Sequence, residues 1–341
     1  MMKIFSGLDK KVAVDLGSSR LRIFVQGKGL ILDEASALAV DQQKGKVIAV
    51  GDKALAMKGR VEDPVKVYQP IQQPKLTDDE QIFALLKALL QKVNQDYYFF
   101  NPTVVVSVAH QMSPALKEIV TEIFANLGAK ETIIVSQPLA AAIGMGVPIA
   151  DASGCFLLQL GGGVVEAAAI ALGKVVAVQS SKRAGIDMDQ KLAALVARQQ
   201  HLEIGLNVAQ QLKNNLATTN KDLHYQMVAS GQGCQGEGPC EIEVFSDQLQ
   251  PLVMDYVQHW VQLLKQLLAE VPPDLTTDAI DKGILLAGGL AQLHNLDQEL
   301  STQLSLPVSV AEEPDLAVIN GLGKLLDHLD EFKQSVGYQL T

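Results

Sequence analysis

What this chain lacks narrows the field first. Among 341 residues there is one tryptophan and there are three cysteines, Cys155, Cys234 and Cys240, too few and of odd number for a disulfide framework. A reducing compartment is therefore expected, although Cys234 and Cys240 share a glycine-rich turn and could meet there. Clustered Lys and Arg are missing and the formal net charge is -10, which argues against a nucleic-acid partner, because phosphate contacts need concentrated positive charge. No apolar run reaches the roughly 20 residues of a membrane span, and no cleavable-signal pattern opens the chain. Charged residues make up 19% against 48% hydrophobic, so a large core under a lightly charged surface is expected, and the length suggests two domains of similar size.

Glycine, in contrast, is concentrated where apolar runs end. Cys155-Phe-Leu-Leu-Gln159-Leu breaks into Gly161-Gly162-Gly163 and resumes at Val164-Val165-Glu166. A strand running into consecutive residues without Cβ atoms lets backbone N–H groups come close to an anion, so the pattern reads as a phosphate loop. A second such turn is Val12-Ala-Val-Asp15-Leu16-Gly17-Ser18-Ser19-Arg20, and a third is Gly283-Ile-Leu-Leu-Ala-Gly288-Gly289-Leu290-Ala291. Each alone is weak, since glycine turns also close hairpins. Three of them spread along the chain suit a nucleotide cleft between two domains.

Between the turns, apolar spacing predicts helices over Asp78 to Val93, Ser113 to Leu127 (Pro114 in the first turn, Gly128 closing), Leu139 to Gly144, Asn207 to Ala217 and Leu249 to Leu268. The Leu139 helix, rich in small residues, is expected on the cleft floor. The stretch Arg183 to Asp189 opens another helix, which runs to Ala197 with Asp187 as its N-cap and first-turn acid. Trp260 reads as a packing residue. Residues 29–75 read as a strand-rich insert.

Two segments are apolar where loops and chain ends are usually polar. Met1, Met2, Ile4, Phe5 and Leu8 precede the first strand, and Tyr98, Phe99 and Phe100 sit between a helix and a strand. The first is too short for a stable helix in water, and aromatic loop tips mark binding surfaces, so both are expected to meet a lipid surface.

With these landmarks in place the chain resembles the MreB family of bacterial actin-like proteins over essentially its full length. The resemblance rests on Val14-Asp15-Leu16-Gly17-Ser18, Met57-Lys58-Gly59-Arg60, Gln137-Pro138-Leu139-Ala140-Ala141-Ala142-Ile143-Gly144 and Gly161-Gly162-Gly163 with Glu166. It extends through Arg183-Ala184-Gly185 with Met188-Asp189, Pro272-Pro273-Asp274-Leu275, Gly283 to Gly289, Asn295-Leu296-Asp297 and Ala311-Glu312-Glu313-Pro314. It implies an α/β actin-like fold of two RNase H-like lobes, each with an inserted smaller subdomain, holding ATP and magnesium between them. The lobes would be residues 1–145, with the insert at about 29–75, and 146–311, with an insert at about 182–246, while 312–341 returns to the first lobe. The same resemblance implies antiparallel double filaments of the chain itself. It places them peripherally on the cytoplasmic face of the membrane, beside membrane proteins of cell-wall synthesis.

The resemblance also assigns the site and its departures. Phosphate would meet Gly17, Ser18, Ser19, Arg20, Gly161 to Gly163, Val164, Gly288, Gly289, Leu290 and Ala291; the adenosine helix would contribute Gln210 and Lys213; and Asp15 would face the metal. Where the family has Asp before the triple glycine, Thr-Thr after it and a catalytic Glu, this chain has Gln159, Val164-Val165 and Gln137. Amides neither act as bases nor organise magnesium, so hydrolysis is expected to be lost, magnesium to be disfavoured and ATP to bind weakly or not at all. Leu290 in the third turn is expected to narrow the room for phosphate. Two other readings stay open: an ATPase using Asp15 or Glu166 in an altered constellation, and a non-polymerising adaptor.

Overall fold

The computed structural model describes residues 11–94, 101–233 and 238–335. Met1 to Leu8, Tyr98 to Phe100 and Cys234 lie outside the described residues. The chain divides into two compact units, Met1–Pro148 with Ala317–Thr341, and Ile149–Leu316.

The first unit is built on a five-stranded sheet in the order Glu131–Ser136, Thr103–Val108, Lys11–Leu16, Arg20–Val25, Gly29–Ala35. The first three strands are parallel and the last three form an antiparallel meander. Lys11–Leu16 reads as a nearly continuous apolar run because both of its faces are covered, which is the rule for central strands. Helix Asp79–Asn94 lays Ile82, Leu85, Leu86 and Leu89 into the core in one stripe, each contributing about 1.5–3 kcal/mol by burial. Asp78 Oδ1 caps it, accepting the Gln81 N–H at 3.1 Å. Helix Pro114–Asn126 starts on Ser113, whose side chain accepts from the Leu116 N–H.

The second unit repeats that topology: Lys174–Ser181, Val165–Ala171 and Cys155–Leu160 form the meander, and Ile284–Ala287 and Val308–Val310 continue it in parallel. Its core gathers around Trp260, Tyr256, Phe156 and Leu264. Trp260 is fully buried and its Nε1–H donates to the Arg183 carbonyl at 3.0 Å. Leu202–Glu203, Gln226–Gly233 and Pro239–Phe245 make a separate three-stranded sheet.

The structure corrects several sequence expectations. Gly29–Ala35 is the third strand of the main sheet rather than part of an insert, because Lys28 N–H closes a tight turn on Val25 O and the strand pairs straight back on Arg20–Val25. Helix Asp52–Met57 was not anticipated. Asp187 is not an N-cap: the helix already starts at Gly185, with Ala184 in the cap, because the Gly185 and Ile186 N–H groups donate to the glycine-loop carbonyls. Asp187 instead accepts the Tyr256 hydroxyl and pairs with Lys191 at 3.4 Å. The helix expected from Leu139 starts two residues earlier, at Gln137, and as Gln137–Gly144 it packs on Ala317–Asp327. At their crossing a Cβ on Gly144 would lie 1.9 Å from Ala317 O. Only glycine permits backbones this close.

Candidate functional site

In the first unit the site grows from a row of polar residues across the sheet. Asp15 stands directly opposite Ser107 on one neighbouring strand and Arg22 on the other, and Arg22 stands opposite Asp33. Directly opposed residues share a face, so the four side chains form one line. Ser107 Oγ donates to Asp15 Oδ1 at 2.7 Å and Gln137 Nε2 donates to the same oxygen at 3.2 Å. Arg22 Nη1 lies 4.0 Å from Asp15 Oδ2, and Arg22 Nε lies 3.2 Å from Asp33 Oδ2. Burial pushes the Asp15 carboxyl above its usual range, while Ser107, Arg22 and Gln137 pull it back.

The Gly17-Ser18 turn follows this strand. A Cβ on Gly17 would lie 2.5 Å from Arg20 O, so the turn needs glycine. Ser36 Oγ donates to Gly17 O at 2.6 Å, Ser36 N–H donates to Ser19 O at 3.0 Å, and Ser18 Oγ accepts the Gln73 N–H at 3.0 Å. Arg20, expected at the phosphate, is held by Asp33 at 2.5 Å and Asp52 at 3.2 Å.

In the second unit Gln159 is buried opposite Glu166, itself fully buried, and beside Ala287. Its Oε1 has no hydrogen-bond partner among the described residues. Gly161 N–H closes the loop on Val164 O at 3.1 Å, and a Cβ on Gly161 would sit 2.6 Å from that oxygen. The carbonyls of Gly161 and Gly162 accept from Gly185 and Ile186 at 3.1 and 2.8 Å, which fixes the loop on a helix start. Val164 is buried. Lys213 is buried too: its Nζ pairs with Asp189 Oδ1 at 2.7 Å and donates to Gly185 O at 3.2 Å. Burial raises the Asp189 carboxyl, and Lys213 opposes that rise. Gln210 is half-buried one helical turn earlier.

At the third turn Gly288 has φ 92°, and a Cβ there would lie 2.3 Å from Leu160 O; a Cβ on exposed Gly289 would meet nothing. Leu290 does not narrow this turn as expected. The 3-10 turn Gly289–Gln292 directs it into the core of the unit, and Ala291 is buried as well.

Sequence reasoning missed Arg22, Ser107 and Asp33 as members of the site. The only local signal was a charge inside the apolar strand Leu21-Arg22-Ile23-Phe24. The residues present suit the phosphates of a nucleotide, since each unit carries a turn that only glycine can make. They do not suit magnesium. The oxygens of Asp15 face three groups of the chain itself, Gln137 and Gln159 are neutral, and among the described residues no group of three or more His, Cys, Asp or Glu could hold a metal ion.

Two sheets of one topology, each ending in glycine turns, define a protein of the actin-like fold. The structure matches that of MreB5 of Spiroplasma citri bound to AMPPNP with a TM-score of 0.90 at 22% identity, covering 96% of this chain and 99% of that one. It matches the MamK double helical filament with a TM-score of 0.77 at 18% identity, covering 93% and 98%. The family model described as MreB/Mbl protein matches residues 9–334, and the chain belongs to that family. The cell shape-determining protein Mbl of Bacillus subtilis (strain 168) is 32% identical over 323 residues, which is 94% of this chain and 97% of that protein.

Proposed function

We propose that this chain is a cytoskeletal filament protein of the cell shape-determining type that holds ATP weakly, without magnesium and without turnover. Relatives named for cell shape, a structural neighbour bound to AMPPNP and another forming a double helical filament support the filament and the nucleotide. Loss of turnover rests on one observation: the Gln137 amide donates to Asp15 Oδ1 at 3.2 Å. A primary amide that donates this hydrogen bond through its nitrogen is too weakly basic at either end to take a proton from water.

In the second unit ATP would offer its polyphosphate to backbone N–H groups of the Gly162-Gly163 loop, with Gln210 near the adenosine; in the first unit the Gly17-Ser18 turn offers phosphate N–H groups of the same kind. Lys213, on the same helix as Gln210, is tied to Asp189 and Gly185 O and so holds that helix to the helix start behind the glycine loop. Filaments of this kind would lie on the cytoplasmic face of the membrane, near cell-wall synthesis proteins, held through Met1 to Leu8 and Tyr98 to Phe100. No helix among the described residues is long and apolar enough to cross a membrane.

Electron microscopy of the protein on lipid, with and without ATP, is run beside light scattering and phosphate release. Filaments without released phosphate are expected. Growth that tracks phosphate release would overturn the loss of turnover, and no filament under any condition would favour an adaptor.

A further inference from the structure

We propose that Arg22 is a built-in counter-cation that closes Asp15 to divalent ions, and so decides that nucleotide at this site is taken without magnesium. The inference deepens the nucleotide reading above, but one arm of its test is independent of that reading.

Arg22 lies directly across from Asp15, with its side chain 8% exposed and Nη1 4.0 Å from Oδ2. A guanidinium does not lose its proton in a protein, so this charge is permanent. Two desolvated charges at that distance attract far more strongly than the same pair in water. The cation is also paired from behind: Arg22 Nε lies 3.2 Å from Asp33 Oδ2 as an ion pair without a hydrogen bond, Arg20 Nε lies 2.5 Å from Asp33 Oδ1, and Arg20 Nη1 lies 3.2 Å from Asp52 Oδ1. A divalent ion approaching Oδ2 therefore meets a positive charge that cannot swing aside without breaking an alternating chain of ion pairs. Oδ1 offers no way round, since Ser107 and Gln137 both donate to it. Arg22 positions and screens the carboxylate, which makes it a specificity-determining residue.

ATP is titrated calorimetrically at about pH 8, well above the usual carboxylate range because burial raises Asp15, once with magnesium and once with EDTA. The two affinities should agree for the unaltered chain and for Arg22→Lys, which keeps the charge. In Arg22→Gln magnesium should strengthen binding about tenfold or more, the scale of removing an opposite charge at this range, and adding Asp15→Asn should cancel the gain. Strict magnesium dependence of the unaltered chain, or the same magnesium effect in Arg22→Gln as in the unaltered chain, would overturn the proposal. Arg22→Met serves where Arg22→Gln fails to fold. If ATP gives no heat in either buffer, the nucleotide reading fails, and manganese alone decides by water-proton relaxation. One manganese per chain in the Arg22 variant, lost with Asp15→Asn and missing in the unaltered chain, supports the closure; equal uptake by both, or none by either, overturns it.

Discussion

Gly321 lies so close to Ala140 that a Cβ on it would sit 1.7 Å from the Ala140 carbonyl oxygen. The helices Gln137–Gly144 and Ala317–Asp327 cross on this pair and its reciprocal, Gly144 on Ala317. Gly321→Ala is therefore expected to destabilise by overpacking, about 1–3 kcal/mol or more, although alanine is the better helix former. Urea unfolding checks this: the midpoint should fall with an unchanged slope. A midpoint at or above that of the unaltered chain would mean that the helices separate without cost.

Lys213 and Asp189 form a buried ion pair, each less than 10% exposed. Removing one partner leaves the other charged and unpaired in the interior, so Lys213→Met should cost about 3–5 kcal/mol. The double variant Lys213→Met, Asp189→Leu removes both charges and should recover most of the loss. A double variant no more stable than the single one would count against the pair as the cause.

His259 provides a pH dependence. Its Nε2 lies 2.7 Å from Ser181 Oγ, which also accepts the Arg183 N–H, and burial followed by the Arg183 charge lowers its affinity for a proton; Lys191 works in the same sense and Asp255 against it. The unfolded imidazole protonates near its ordinary 6.5, the folded one only at lower pH. As pH falls through the unfolded value, the unfolded chain binds more protons and stability is lost; above that value the contribution is complete. Melting temperature should drop between about pH 7 and pH 5, and His259→Gln should reduce the drop relative to the unaltered chain. Identical profiles for the two would exclude this histidine.

Restoring acids and a hydroxyl tests how far the site has departed from an ATPase. Gln137→Glu, Gln159→Asp and Val164→Thr together should raise ATP turnover above background, and adding Arg22→Gln should raise it further, because Asp15 is then open. Phosphate release measured with magnesium decides. A flat response in the fourfold variant would mean that the loss extends beyond these positions.

Membrane binding should depend on two apolar segments at once. Each buried side chain contributes about 1.5–3 kcal/mol at most, so a monomer holds weakly and a polymer sums many anchors. Liposome co-sedimentation of a chain without residues 1–8 and carrying Phe99→Ser and Phe100→Ser should fall to background. Unchanged pelleting would remove these segments from the account.

Much of this site was legible because its signals are local. Gly17, Gly161 and Gly288 announce themselves by ending apolar strands, whereas Gln137 and Gln159 stood out only through the family resemblance. What was hidden depends on register. Ser107, Asp15, Arg22 and Asp33 become neighbours only when four strands align, and a slip of one residue would turn each to the other face. The start of the helix at Gly185 was misread for a similar reason. Its first N–H groups are satisfied by Gly161 and Gly162, more than 20 residues earlier in the chain, so no side-chain cap was needed and Asp187 was free to serve elsewhere.

The crossing at Gly144 and Gly321 also sets the order of assembly during synthesis. The second unit, Ile149–Leu316, is one unbroken stretch and can complete its core as soon as it has emerged. The first unit begins earlier yet waits for Ala317–Asp327, which follows the whole of the second unit in the chain. Until then the glycine-bearing surface of Gln137–Gly144 is uncovered. The usual order, in which the N-terminal domain matures first, is thus inverted, and a chain truncated before Ala317 would carry one finished half and one that cannot close.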